Sequence, residues 1–417
     1  KSDSELDNAV TAYRKIPIPG EFKKDGSQKN KGSIHFAADV FNEIKKRTAD
    51  DQECAVLAFD IKSFFPSLDH SYLKEKWCEV LKETSLPKEH QNVFNSVTNF
   101  SFIYKDDLRK FQAKKGRRAN FDEKQIAEIR NQHGINAFFE SPAAFRKAIR
   151  TGKVRVYKNS FKNEEKEMIG IPQGLPMSAV LANIYLLDFD KKVIEYLVKN
   201  KGAFYRRYSD DIILICDKNF VNKAEQSIID EMENAKVKIS KEKTEKFIFK
   251  TANNRITVHK VVLENSVEIL KDNQPLIYLG FEFYGYQTLI KSTNLSKCYR
   301  RMIYAVKNKA RIANKIAEKK GTKPVLFKSQ LYPLYQNIDL ERKFVKRNYK
   351  VIEKLPNGEF RTKIDKKKKK HNGNYFSYVE RAAEILDAPE IKKQLRNEKR
   401  IFNEAMSRHL KRNKSKG

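Results

Sequence analysis

The chain has 417 residues, 40% of them hydrophobic and 33% charged. It is too long for one core and too apolar to be disordered throughout, so roughly two to four domains are expected. Lys and Arg outnumber Asp and Glu by 85 to 53, a net charge of +32. That excess opposes compaction and points to a polyanionic partner, either nucleic acid or an anionic membrane. No apolar stretch is long enough to span a bilayer, and no secretory signal opens the sequence. The longest apolar stretch, Ala179 to Phe189, is broken by Asn183 and Asp188. Cys54, Cys78, Cys216 and Cys298 form no CxxC and no Cys/His zinc pattern, which suits a reduced, cytoplasmic setting.

In chain order, Ala12 to Pro19 reads as a short strand broken by prolines, and Gly20 to Gly32 as a polar, turn-rich link. Phe36 to Arg47 puts Phe36, Val40, Phe41 and Ile44 on one helical face. Cys54 to Ile61 is a near-continuous apolar run, the pattern of a buried strand, and His70 to Thr84 is expected as a helix. Asn92 to Lys166 mixes short helices with a basic turn at Lys114 to Arg118, and a hairpin is predicted from Val154 to Ile169. Ser178 to Lys199 is expected as one long helix capped by Ser178. Next comes a hairpin, Phe204 to Tyr208 and Ile212 to Cys216, folded about Ser209-Asp210-Asp211. An amphipathic helix from Phe220 to Lys236 and a strand from Lys246 to Lys250 follow. Ile277 to Tyr284 alternates about Gly280 as a strand pair or bend, and Leu295 to Glu318 is basic and helical. The Lys366 to Lys370 run reads as a loop.

The charge is uneven. From Tyr286 to Gly417 there are 36 Lys and Arg against 12 acids, so this final third carries +24 of the +32. A weakly basic body followed by a strongly basic appendage is the distribution of an enzyme core with a nucleic-acid-holding extension. Basic residues there alternate with aromatics such as Tyr299, Tyr304 and Phe327, a composition suited to stacking on unpaired bases.

Asp60 ends an apolar strand, where an Asp is usually a turn or cap residue. Asp210 and Asp211 are more informative. Two adjacent acids between apolar strands repel one another, and Asn-Gly or Asp-Gly would make the better hairpin turn. Asp-Asp is a good ligand pair for a divalent cation. If the strand ends meet, three carboxylates can hold two Mg²⁺ ions for phosphoryl transfer.

FDIKSFFPSLDH (Phe59 to His70), GIPQGLPMSAVLANIYL (Gly170 to Leu186), YSDD (Tyr208 to Asp211), KEKTEKF (Lys241 to Phe247) and YLGFEF (Tyr278 to Phe283) resemble successive motifs of reverse transcriptases, in that family's order. YRKIPIP (Tyr13 to Pro19) resembles the family's fingers strand, so the likeness runs from Tyr13 to about Tyr335. It implies an α+β, right-hand polymerase with fingers, a ferredoxin-like palm, a helical thumb and a basic C-terminal helical extension. The expected divisions are part of the fingers at 1–50, the palm at 51–285 with a fingers insertion at about 92–169, the thumb at 286–345 and an RNA-binding extension at 346–417.

The same resemblance assigns roles. Asp60, Asp210 and Asp211 would bind two Mg²⁺ ions, with Mn²⁺ as a substitute, and Ile61 joins them as a metal and substrate contact. Arg14 would clamp the nucleotide triphosphate, Gln173 would contact the incoming nucleotide, and Phe65 would be the steric gate against a 2′-hydroxyl. Lys243 would protonate the leaving pyrophosphate, and Tyr278, Leu279 and Gly280 would form the primer grip. The implied partners are RNA, a DNA product and deoxynucleotides.

RNA-dependent RNA polymerases usually carry a second Asp where Phe65 stands, so deoxynucleotides are expected. The retron signatures VTG and NAxxH are absent, and so is a zinc-bearing endonuclease. The chain is most similar to the stand-alone, defence-associated enzymes of bacteria, which implies a structured non-coding RNA template. Two alternatives stay open at this point: a template-independent or protein-primed DNA polymerase of the same fold, and a catalytically idle RNA-binding scaffold.

Overall fold

A computed structural model describes the chain apart from residues 1–3, 24, 110–120, 241–242, 266, 329–330, 332–334, 336–343, 371–372 and 412–417. It divides into two units. The first comprises 1–84, 173–338 and 373–417; the second comprises 85–172 and 339–372.

The first unit is built on a six-stranded antiparallel sheet. Its order is Val267–Asp272, Arg255–Glu264, Glu245–Ala252, Glu53–Asp60, Asp211–Cys216, Phe204–Tyr208. The four strands from Glu245–Ala252 to Phe204–Tyr208, with helices between them in sequence, have the ferredoxin-like arrangement. The apolar run at Cys54 to Phe59 is explained by cover on both faces of the sheet. On one face, Phe36, Phe41 and Ile44 of the Ser33–Arg47 helix are buried, and Phe41 stacks on Phe283 at 4.5 Å between ring centres. The Val221–Asn234 helix packs against the Glu53–Asp60 strand and buries Ala224, Ile228 and Met232. Cys54 and Cys216 are buried free thiols, each pushed up to about 12 chiefly by burial.

Two strands escaped the sequence reading. Arg255–Glu264 and Val267–Asp272 extend the sheet through hairpins turning at Asn253-Asn254 and near Asn265, all three asparagines at positive φ. Asparagine tolerates that conformation, and consecutive positive φ values match the tight hairpin turn. The expected long helix from Ser178 is also different. It starts at Pro176, because proline suits a first helical position, and Ser178 is buried rather than capping. It breaks at Leu186, resumes as Leu187–Val193 and ends in a π-turn at Ile194–Lys199.

Beyond the sheet, Leu276–Tyr278, Phe281–Phe283 and Thr288–Ile290 form a three-stranded antiparallel sheet. The basic Ser292–Lys320 helix follows. The last helices, Tyr375–Ile385, Glu390–Lys393 and Glu398–Lys411, are core elements. Val379, Ala382, Leu386 and Ile391 lie in one cluster with Val56, Ile213 and Phe249 of the large sheet. Phe402, Ala405 and Met406 pack with Met302 and Val306 of the Ser292–Lys320 helix. Gln394 also satisfies the edge of the small sheet: its Oε1 accepts from Ile290 N at 2.8 Å and its Nε2 donates to Ile290 O at 3.0 Å.

The second unit holds the helices Lys88–Thr98, Glu123–His133 and Pro142–Arg150. The predicted Val154 to Ile169 hairpin is smaller than expected. Tyr157–Lys158 pairs instead with Ser101–Phe102, and Lys162 bridges Met168. The basic turn at Lys114 to Arg118 lies outside the described residues. The C-terminal extension opens with a hairpin, Phe344–Lys354 and Phe360–Lys370, turning through Pro356-Asn357-Gly358. Lys366 to Lys370 is therefore strand, not loop: the Asn-Gly turn and eleven paired positions impose the extended backbone.

Candidate active site

Strand register brings the acids together. The Glu53–Asp60 and Asp211–Cys216 strands pair so that Asp60 faces Asp211. Tyr208 also faces Asp211, leaving Ser209-Asp210 as a two-residue turn. Ile61 N donates to the Asp210 carbonyl at 3.3 Å, and Ser240 N donates to the Asp60 carbonyl at 2.9 Å. The end of the central strand is thus held between the acidic turn and the segment leading to Lys243. Lys243 N donates to Ser240 O at 2.9 Å, and its ammonium donates to Asp60 Oδ2 at 2.6 Å.

The electrostatics follow from this crowding. Burial pushes the Asp211 carboxyl up to about 6, with Asp210 and Asp60 adding to the shift and Lys243 and Lys291 opposing it. The hydrogen bond to Asp60 holds the exposed Lys243 ammonium above its ordinary value. Among the described residues, no group of three or more His, Cys, Asp or Glu side chains is arranged to hold a metal ion. The strand ends offer instead an open, all-carboxylate set. Hard oxygen donors of this kind suit Mg²⁺ or Mn²⁺, and the repulsion that Asp210 and Asp60 add to the burial of Asp211 is one that a divalent cation would relieve. By donor type these carboxylates suit a divalent cation.

The other expected residues fall in two groups. Phe65 is buried beside Phe64, with ring centres 5.4 Å apart, just after Ser63 at positive φ. Tyr278 is buried with its hydroxyl unpartnered, and its ionisation is pushed up by burial first and by Asp211 second. Leu279 and Gly280 form the positive-φ turn after it. Gln173 is exposed in the turn before the Pro176–Tyr185 helix. Arg14 is not drawn to the carboxylates. It pairs with Asp7 and donates to the carbonyls of Leu6, Asp7 and Val10. An acid seven residues upstream, in the Ser4–Ala9 helix, captures it locally.

Sequence reading missed what lies behind the acids. Arg207 and Asp190 form a fully buried ion pair, and the Tyr205 hydroxyl donates to Asp190 at 2.7 Å. The signal available was an arginine in an apolar strand and an aspartate on an apolar helix face, each unfavourable without the other.

Residues 122–283 match the family profile of reverse transcriptase (RNA-dependent DNA polymerase). No curated protein matches the chain. Among solved structures, apo telomerase from Candida tropicalis truncated from its C-terminal domain aligns at 12% identity and a TM-score of 0.37, over 69% of this chain and 42% of that one. Telomerase from Candida albicans in complex with the TWJ fragment of telomeric RNA aligns at 11% identity and a TM-score of 0.36, over 97% of this chain and 52% of that one. The chain thus spans about half the length of these structures or less. Residues 122–283, which include Asp210 and Asp211 but not Asp60, thus match a reverse transcriptase domain.

Proposed function

We propose that the protein is an RNA-directed DNA polymerase that adds deoxynucleotides at the Asp60, Asp210 and Asp211 carboxylates. The observation that carries this reading is the register that sets Asp60 against Asp211, with Asp210 adjacent and Lys243 on Asp60. Asp60, Asp210 and Asp211 would hold two Mg²⁺ ions, with Ile61 beside them. When bound, the ions supply acidification of the primer hydroxyl and neutralisation of the leaving pyrophosphate. Lys243 keeps a proton on Nζ within reach of that leaving group. Phe65 forms the wall against a 2′-hydroxyl, the Tyr278-Leu279-Gly280 turn seats the primer end, and Gln173 meets the incoming nucleotide.

In this reading the large sheet is palm, the Ser292–Lys320 helix belongs to the thumb, and part of 85–172 to the fingers. The template is a structured non-coding RNA and the setting is antiphage defence, on the strength of the sequence resemblance. The RNA-holding element is best placed on the Phe344–Lys370 hairpin, which has eleven Lys and Arg against three acids. Its register sets Lys346 opposite Lys368 and Arg347 opposite Lys367.

Primer extension with Mg²⁺ and deoxynucleotides tests the assignment. Asp60→Ala and Asp210→Ala should each abolish nucleotide addition while the protein still melts cooperatively. Full activity in either variant defeats the two-metal reading. Extension without any template would favour the template-independent alternative. Sequencing the co-purified RNA and DNA identifies template and product.

A further inference from the structure

Arg207 lies wholly inside the first unit, three residues before Asp210, and its side chain is 0% exposed. Its Nε and Nη2 donate to Asp190 Oδ1 and Oδ2 at 2.8 and 2.5 Å, a two-pronged ion pair. The remaining nitrogen, Nη1, donates to the Ser209 carbonyl at 3.1 Å and to Asn183 Oδ1 at 3.3 Å. The backbone of Arg207 is tied as well, since its carbonyl accepts from Thr11 N at 2.9 Å and Thr11 Oγ1 at 3.1 Å. Asn183 completes the brace by donating to the Ala12 carbonyl at 3.2 Å.

This arrangement is costly where stability alone is concerned. A buried ion pair is often matched or bettered by apolar residues of similar volume. Ser209 adds a second cost. It is buried and held at φ 62, at the first position of a two-residue turn where glycine is the usual occupant. Such a conformation persists only when its surroundings over-determine it. The guanidinium is the group that holds the Ser209 carbonyl, and the next residue is Asp210.

We infer that Arg207, braced by Asp190, Tyr205 and Asn183, is the positioning residue of the acidic turn. Its Nη1 fixes the Ser209 carbonyl and thereby the direction in which Asp210 leaves the sheet. The inference rests on the polymerase reading of Asp210 and Asp211. A planar fork is needed because three directions must be met at once: two oxygens of Asp190 and one carbonyl of the turn.

Two variants of the full chain test it. Arg207→Met combined with Asp190→Leu removes both charges together, so neither is left unpaired. It should melt near the wild-type temperature. Mn²⁺ binding, followed by electron paramagnetic resonance, should weaken about tenfold, as for the loss of groups that orient metal ligands. Turnover in primer extension should fall about 100-fold with little change in KM for deoxynucleotide. Arg207→Lys keeps the charge but offers a point ammonium that cannot hold Asp190 twice and Ser209 as well. It should show smaller losses of the same kind. Wild-type Mn²⁺ affinity and turnover in either folded variant would overturn the inference. Losses that vanish on cooling to a temperature where the variant is fully folded would overturn it too, since the pair would then be merely structural. Should the wild type itself fail to extend a primer, the polymerase reading falls, and the Mn²⁺ titration of wild type against Arg207→Lys still decides this one.

Discussion

Asp211 shows how one side chain links chemistry to stability. Its carboxyl is raised from 3.8 to about 6 in the folded protein, by burial and then by Asp210 and Asp60. Between those values the native state keeps a proton that the unfolded chain has released, so stability falls as pH rises through the window. The shift corresponds to about 3 kcal/mol. Melts in EDTA at pH 5 and pH 7.5 should therefore differ more for the wild type than for Asp211→Asn, and Mg²⁺ should restore stability at the higher pH. Equal pH differences in the two proteins would show that another group is responsible. Phe65 can be tested at the same scale. It is buried against Phe64, five residues beyond Asp60. Phe65→Val should raise kcat/KM for ribonucleotides relative to deoxynucleotides. An unchanged ratio would return Phe65 to the core.

At the scale of elements, Gly285 joins two strand systems. It sits at φ +84, and a Cβ there would lie 2.5 Å from the Ile256 carbonyl oxygen and 2.7 Å from Ile256 Cγ2. Gly285→Ala should lower stability by more than about 1 kcal/mol, read as a fall in Tm, because it meets both an unfavourable φ and a backbone collision. The elements that carry the acids were legible in the sequence because their signals are local. Cys54 to Phe59 is apolar without a break, and the paired acids stand directly before a second such run, Ile212 to Cys216. The strands at Arg255–Glu264 and Val267–Asp272 were not. They lie at the edge of the sheet, where Leu263, Val267 and Leu270 are exposed, so their polar and apolar residues give no clean alternation. Their asparagine turns were the available clue. Arg14 shows a different limit: Asp7, outside its motif, pairs with the guanidinium, a contact that the motif itself does not report. Lys366 to Lys370 carries no strand propensity of its own. Pairing with Phe344 to Asn348 across the Asn357-Gly358 turn decides its backbone, and composition cannot report that.

For the whole molecule, no described helix is long and apolar enough to cross a membrane, and the +32 charge calls for a polyanionic partner. The basic final third contains a basic hairpin and helices that belong to the core of the first unit. Deleting 344–370 and bridging the gap should weaken RNA binding and flatten its dependence on salt, measured as the slope of log affinity against log salt concentration. An unchanged slope would remove the hairpin from the RNA-holding surface. Deleting 375–411 should instead abolish cooperative melting, because Val379, Ala382 and Ile391 belong to the same core as Val56 and Phe249. Sequence order gives that shared core a further meaning. A ribosome makes the strands of the large sheet before the helices that close its back, with the basic hairpin emerging between them. The large sheet therefore keeps part of its apolar face uncovered until residues 375–411 have emerged, so a chain stalled before them exposes that face to aggregation.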